Sequence, residues 1–199
     1  MTEMNPNKSA LRASLRAILA GMSLEDRRAK SQQACQLLAS TKEWQQAQCV
    51  MLYLSTPEEV DTCPLALRAW QQGKTVVVPQ VSWDQRRMLP VEISCLTKGI
   101  TSTGPGIRQP ESGKPVPLDL IDLAVVPGLG FSLQGHRIGR GMGFYDRFLS
   151  QTGFGGIVCG IAFEEQVMEN IPVLDHDVQL AMLVTDRQIK RIAACCIVK

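Results

Sequence analysis

The stretch IDLAVVPGLGFSLQGHRIGRGMGFYDRFL, residues 121–149, decides how this chain folds. Its first six residues are a short apolar run closed by Pro127 and Gly128, the pattern of a buried strand. Its end, from about Phe144 to 151, predicts a helix. Between the two, Gly139, Gly141 and Gly143 alternate with larger residues, and Arg137, Arg140 and Arg147 stand around them. Alternating glycines suit neither a helix nor a strand, because their entropy cost has no packing return there. They suit a backbone that must turn sharply and approach something closely.

Outward from this stretch the pattern repeats. CVMLYL (49–54), TVVV (75–78, ended by Pro79), GIVCGIA (156–162) and AMLVTD (181–186) are short apolar runs and predict buried strands. Residues 87–94 add a further strand, as does the tail RQIKRIAACCIV, which contains Cys195 and Cys196. Residues 8–22 predict a helix with Leu11, Leu15, Ile18, Leu19 and Met22 in one apolar stripe, and with Lys8, Arg12 and Arg16 on a neighbouring face. Ser23 and Asp26 resemble a capping box for a helix over about 24–39. STPEEVDT (55–62) is a polar turn; Pro64 suits the first turn of another helix, and Gly73 suits its stop. Gly99 to Pro117 is rich in Gly, Pro and Ser and predicts a long surface loop. Strands alternating with helices imply an α/β domain over 1–199, with a largely parallel sheet and helices on both faces.

Composition excludes several classes. The 21 basic and 19 acidic residues leave a net charge of only +2, too little for a broad nucleic-acid or membrane-binding surface. An anion site on this chain must be a local concentration of charge. The seven cysteines form no Cys-x-x-Cys pair, so reduced thiols are expected rather than a disulfide framework or a zinc site. Charge interrupts the N-terminal segment, which lacks the apolar core of a signal peptide, and no run reaches the roughly 20 apolar residues of a membrane span. A soluble, cytoplasmic protein is the expectation.

The loop itself points to an anion. A bend of this kind turns several backbone N–H groups into one concavity, and such nests hold phosphates. Arg137 and Arg140 add forked donors matched to phosphate oxygens. An acid beside an anion site, Asp146, makes chemical sense if Mg²⁺ stands between it and the phosphates. The loop is no Walker motif, which needs G-x-x-x-x-G-K-[ST]. The dinucleotide fingerprint fails too: the spacing is G-x-G-x-G, some way after the strand, with no suitable acid about 20 residues on. A tight surface turn with solvated arginines is the bland alternative.

VVPGLGFSLQGHRIGRGMGFYDRFL resembles the signature of the 5-formyltetrahydrofolate cyclo-ligases, also called methenyltetrahydrofolate synthetases. The resemblance runs over about residues 8–186. It takes in Lys8-x-x-Leu11-Arg12, EEVDT (58–62), GKTVVVP (73–79), GIAFEEQ (160–166) and IPVLDHD (171–177). It implies a Rossmann-like fold and an ATP- and Mg²⁺-dependent closure of 5-formyltetrahydrofolate to 5,10-methenyltetrahydrofolate.

Carried over residue by residue, the resemblance implies that Lys8 and Arg12 contact ATP phosphates from the first helix. Arg137, Ile138, Gly139, Arg140, Gly141, Met142, Gly143, Phe144 and Tyr145 wrap them, and Arg140 is the catalytic charge on the transferring group. Leu54 and Glu59 line the folate site, Glu59 accepting from the pterin. Asp146 and Asp177 hold Mg²⁺. Tyr145 divides evenly between packing and ligand contact, and a helix or turn cap competes for Asp177. His136, His176 and Arg16 read as surface or structural residues, and Trp83 and Met88 either flank the pterin or simply pack. Ser132 and Gln109 depart from the family pattern, where Asp and Glu are common. The partners implied are small molecules acting on a monomer. A non-catalytic folate- or nucleotide-binding module of the same fold is the alternative. A nicotinamide-dependent oxidoreductase is disfavoured by the misplaced glycines.

Overall fold

Val50 lies beside Val76 on one side and Leu123 on the other, both in parallel register, and these pairings set the centre of the fold. The structure, a computed structural model, describes residues 6–103 and 106–192. Its strands in chain order are β1 (Cys49–Met51), β2 (Thr75–Ser82), β3 (Arg87–Glu92), β4 (Ile100–Thr103), β5 (Ile107–Pro110) and β6 (Leu123–Val126), then β7 (Gly130–Ser132), β8 (Arg137–Ile138), β9 (Ile157–Ile161), β10 (Val167–Met168), β11 (Met182–Val184) and β12 (Ile189–Arg191). Helices are α1 (Pro6–Gly21), α2 (Leu24–Ser40), α3 (Lys42–Gln46), α4 (Cys63–Gln71) and α5 (Phe144–Leu149). Seven strands form one sheet in the order β12-β11-β9-β6-β1-β2-β3, parallel at its centre with an antiparallel strand at each edge. The chain is thus the mixed α/β, mostly parallel architecture that the alternation of apolar runs predicts.

Side-chain alternation along the strands divides the core in two. Val50, Leu52, Val76, Val78, Leu123 and Val125 face α1, α2, α3 and α4. Cys49, Met51, Val77, Ala124 and Val126 face α5 and the segments around it. Helices lie on both faces, four against one. Leu15 and Leu19 of α1 are almost fully buried, each worth about 1.5–3 kcal/mol over exposure. Ile18, expected in the same stripe, is 40% exposed. The inward face of α1 instead runs Lys8, Leu15, Leu19, with Leu11 and Arg12 partly buried beside it. Arg16 is exposed, as expected.

Ser23 caps α2, its Oγ accepting from the Asp26 N–H at 3.0 Å. Other boundaries differ from expectation. β1 ends at Met51 rather than Leu54. Leu52 N–H still donates to Val77 O, but the Tyr53 carbonyl accepts from Thr62 Oγ1 and the Tyr53 hydroxyl donates to Val60 O, so the chain leaves the ladder while staying buried. β2 does not stop at Pro79. It continues to Ser82 with Pro79 opposite Pro90. Ile93 N–H donates to Val76 O, and a period of two from that bond puts both prolines at non-hydrogen-bonded positions, where the antiparallel ladder asks for no N–H. The expected loop over Gly99–Pro117 contains the β4–β5 hairpin, and the glycine loop contains β7 and β8, with β7 between β8 and β10 in a small three-stranded sheet. The expected tail strand is β12; Cys195 and Cys196 lie outside the described residues.

Candidate active site

β1 and β6 are neighbours, and the chain order reverses between them: β2 lies beyond β1 on one side, β9 beyond β6 on the other. Loops leaving such a pair at their C-terminal ends part to opposite faces and open a crevice, where open α/β sheets bind ligands. The 55–62 turn leaves one of these ends and the glycine loop leaves the other. Arg140 closes the gap. Its Nη2 donates to Thr56 Oγ1 at 3.2 Å and to Glu59 Oε1 at 3.3 Å, with Glu58 Oε2 at 3.8 Å. The Thr56 N–H holds the other oxygen of Glu59 at 2.9 Å. The Glu59 side chain is only 14% exposed against 41% for Arg140, so the carboxylate is fixed and the guanidinium is the partner free to move.

The glycine loop is braced from α1. Arg12 Nε donates to the Gly139 carbonyl at 2.9 Å, and a Cβ on Gly141 would sit 3.6 Å from the Arg12 guanidinium carbon. Gly141 and Gly143 adopt φ of +106° and +63°, conformations that favour glycine. Gly143 leads into α5, and Arg147 ties the turn by donating to the Met142 carbonyl at 2.8 Å. The Ile138 side chain is buried and its carbonyl accepts from Leu129, whereas Met142 is half exposed. Gln166, itself buried, donates to the carbonyls of Gly128 and Leu129 and props the start of the loop.

Arg137 and Asp146 form a buried ion pair at 2.7 Å, and Arg137 also stacks 5.5 Å from the Tyr145 ring. Burial pushes the Tyr145 hydroxyl well above its usual range, with Glu59 adding to the shift and Arg137 opposing it. Tyr145 therefore stays protonated and lies between the loop and the Glu59 turn. Lys8 Nζ and Asp177 Oδ2 pair at 2.7 Å, and the same oxygen accepts from Leu174 N–H at 2.8 Å. Asp177 thus caps its own turn as well as meeting Lys8. The next residue, Val178, donates its N–H to Asp146 Oδ1 at 3.4 Å, which brings the two aspartates onto adjoining segments.

Among the described residues no cluster of three or more His, Cys, Asp or Glu side chains is placed to hold a metal. Asp146 and Asp177 each meet a cation, yet each keeps one oxygen outside the bonds just described. Two hard carboxylates with free oxygens suit Mg²⁺, which takes one or two from a protein and completes its shell with phosphate and water. The donor chemistry fits.

The structure pairs Lys8 with Asp177, Arg137 with Asp146 and Tyr145, Arg12 with Gly139, and Arg140 with Glu59. Leu54 is buried just before the Glu59 turn, and Phe144 meets Trp83 edge to face at 5.3 Å. Sequence reading missed Thr56, which seats Arg140, and Gln166, which props the loop; nothing in their local patterns marks either. The two departures have local work. Ser132 Oγ accepts from His136 N–H within the β7–β8 turn, and buried Gln109 accepts from the Val81 N–H at 2.8 Å.

A family model described as the 5-formyltetrahydrofolate cyclo-ligase family matches residues 4–186. The chain is 30% identical over 191 residues to the 5-formyltetrahydrofolate cyclo-ligase of Mus musculus, covering 89% of this chain and 92% of that one. It is 31% identical to a probable 5-formyltetrahydrofolate cyclo-ligase of Caenorhabditis elegans, covering 90% and 93%. The 5,10-methenyltetrahydrofolate synthetase of Aquifex aeolicus superposes with a TM-score of 0.80 at 30% identity, over 93% of this chain and 92% of that one. A 5,10-methenyltetrahydrofolate synthetase from Mycoplasma pneumoniae, at 22% identity, shares the fold with a TM-score of 0.73 over 92% and 99%. With the match running through the glycine loop, α1 and the Glu59 turn, this chain belongs to the 5-formyltetrahydrofolate cyclo-ligase family.

Proposed function

We propose that this chain closes 5-formyltetrahydrofolate to 5,10-methenyltetrahydrofolate at the expense of ATP, releasing ADP and phosphate. One observation carries the reading. Arg12 and Arg140 tie the glycine loop to α1 and to the Glu59 turn, so the residues assigned to the triphosphate and to the pterin share one crevice.

A formamide carbonyl is a poor electrophile because its nitrogen donates into it. The formyl oxygen attacks the γ-phosphorus, the bond to ADP breaks, and the carbon becomes iminium-like. N10 then adds to that carbon and loses its proton, and phosphate departs as the ring closes. The protein supplies no nucleophile; it aligns the two substrates and neutralises charge. Lys8 and Arg12 hold phosphates from α1, and the N–H groups of residues 137–145 surround them. Arg140 leaves Glu59 to meet the transferring phosphoryl group, where a preorganised charge is worth most. Glu59, held by Thr56, accepts from the pterin N–H groups; Leu54 forms a wall and protonated Tyr145 borders both ligands. Asp146 and Asp177 would hold Mg²⁺, which when bound neutralises phosphate oxygens. One domain over 1–199, acting as a cytoplasmic monomer on small molecules alone, completes the proposal.

A binding module without catalysis is disfavoured, because such a module has no use for the combined set Lys8, Arg12, Glu59, Arg140, Asp146 and Asp177. The test is direct. Purified protein with 5-formyltetrahydrofolate, Mg²⁺ and ATP should raise the near-ultraviolet absorbance of the methenyl product; no rise across pH and metal conditions removes the reading.

A further inference from the structure

The turn that carries Glu59 is mounted on α2. Arg27, Ser31 and Cys35 follow one another at intervals of four on that helix, so they lie in one row along it. All three bond to the backbone of the turn. Arg27 Nη1 donates to the Pro57 carbonyl at 3.0 Å, the Ser31 hydroxyl accepts from the Asp61 N–H at 3.0 Å, and the Cys35 thiol donates to the Asp61 carbonyl at 3.2 Å. Pro57 and Asp61 stand two residues before and two residues after Glu59. α2 therefore grips the turn on both sides of the carboxylate and leaves Glu59 itself to Thr56 and Arg140.

Each contact answers a physical need. Ser31 is buried, and a buried hydroxyl is costly unless it is bonded. The Asp61 N–H belongs to no strand ladder, so its acceptor must come from outside the turn. Burial, followed by the charge of Asp61, pushes the Cys35 thiol up to about 12, so it stays a donor at neutral pH. Arg27 makes no ion pair among the described residues. Its Nη2 donates to the Leu19 and Met22 carbonyls, both at 2.9 Å, where α1 ends. One guanidinium thus fixes the end of α1 and the near side of the turn at once. Its partners are carbonyls rather than charges, so its work is placement. Beyond the turn's immediate sequence neighbours, the side-chain bonds that reach residues 55–62 among the described residues come from α2 and from Arg140.

We infer that Ser31 and Arg27 are positioning residues for folate recognition, holding the Glu59 turn in place from α2. The inference rests on the proposed function above, which assigns Glu59 to the pterin, and adds to it the device that aims the carboxylate. In that reading Arg140 leaves Glu59 for the transferring phosphoryl group. α2 is then the remaining distant anchor of the turn. The Thr56 N–H orients the carboxylate within the turn, and the α2 row orients the turn within the protein. A site left without the second kind of support keeps its residues and loses their aim.

A double-mutant cycle read by calorimetry tests this apart from turnover. Wild type, Ser31→Ala, Glu59→Ala and the double variant are titrated with 5-formyltetrahydrofolate, and separately with a non-hydrolysable ATP analogue. Ser31→Ala should weaken folate binding roughly three- to tenfold, the range expected from losing one buried hydrogen bond. Its affinity for the ATP analogue should be that of wild type. In the Glu59→Ala background the same change should alter folate affinity by less than about twofold, because the carboxylate it aims is gone. A merely structural serine would weaken binding by the same factor in both backgrounds. Should Ser31→Ala melt below the assay temperature, Arg27→Met completes the folate cycle from the other side of Glu59, with the same expectation. Unchanged folate affinity, an equal loss with and without Glu59, or an equal loss for the ATP analogue in Ser31→Ala overturns the inference. Failure of the proposed function reads differently. A wild type that binds the folate through Glu59 yet forms no methenyl product removes that function and leaves the positioning role; a wild type that does not bind the folate removes both.

Discussion

Arg140 Nη2 stands 3.3 Å from Glu59 Oε1, across 81 residues of chain, and the contact joins the residue assigned to the transferring phosphoryl group to the one assigned to the pterin. Under the proposed assignment, each ligand must break this pair to claim its own residue. A ligand that breaks it leaves the other residue free, so the two binding events are coupled, and the coupling is reciprocal. Arg140 is substantially exposed, so the coupling is small, under about 1 kcal/mol and no more than roughly fivefold in affinity.

The first prediction concerns these two residues in catalysis. Arg140→Ala should lower kcat by about 10²–10³, the usual loss when a preorganised charge at the transition state is removed. Glu59→Gln should mainly raise KM for the folate. Steady-state kinetics of the double variant should show non-additive losses, since the residues touch. Unchanged turnover in Arg140→Ala refutes the role assigned to it.

The second separates the glycines. At φ +106°, Gly141 lies where an L side chain is strained, and Gly141→Ala should distort the bend at a cost of about 1–3 kcal/mol. Gly143, at φ +63°, lies in the milder left-handed region, and an added Cβ would meet only the flexible end of Arg147 at 3.0 Å. KM for ATP should therefore rise more in Gly141→Ala than in Gly143→Ala. Equal effects would show that backbone conformation at 141 is not what the triphosphate needs.

The third is read without ligand. The Arg137 side chain is 5% exposed and its partner Asp146 is 18% exposed. Asp146→Ala strands a buried guanidinium and should destabilise by about 3 kcal/mol, a fall of roughly 6–12 °C in Tm for a chain of this size. Asp146→Asn keeps an acceptor and should cost less. Equal melting of the two variants would show that the pair carries little stability.

The fourth concerns a thiol outside the candidate site residues. The Thr97 hydroxyl, followed by backbone N–H groups of Lys98 and Thr97, lowers the Cys95 thiol to about 7. Burial pushes Cys49 and Cys63 up to about 11 and Cys35 up to about 12. Only a thiolate alkylates, so iodoacetamide labelling at Cys95 should rise through about pH 7 and level off above it. Among the other described cysteines, labelling should stay slow until far higher pH. Peptide mapping by mass spectrometry across a pH series checks this, and Thr97→Val should move the Cys95 midpoint upward.

Apolar runs made the strands legible because a strand buried on both faces needs little beyond an unbroken hydrophobic segment. The same runs misjudged ends. Tyr53 and Leu54 are apolar and buried yet outside any ladder, because burial and pairing are separate requirements. Pro79 was read as a stop, but a proline breaks a strand only where the ladder needs its N–H. At the site, the glycines and arginines announced an anion through their chemistry. Thr56 and Gln166 announced nothing, because a hydroxyl or an amide acquires a task only from the group folded against it.

By itself, then, the sequence determined which residue types could bind phosphate, how often the chain enters the sheet and that the glycine bend had to be a loop. The tertiary structure alone decided that Arg12 meets Gly139, that Arg140 meets Glu59 and that Lys8 meets Asp177 across 169 residues. The physical reason is strand order. Only the placement of β6 beside β1 brings the two loops to one edge of the sheet, and that neighbourhood comes from packing the whole apolar core, which no local pattern encodes.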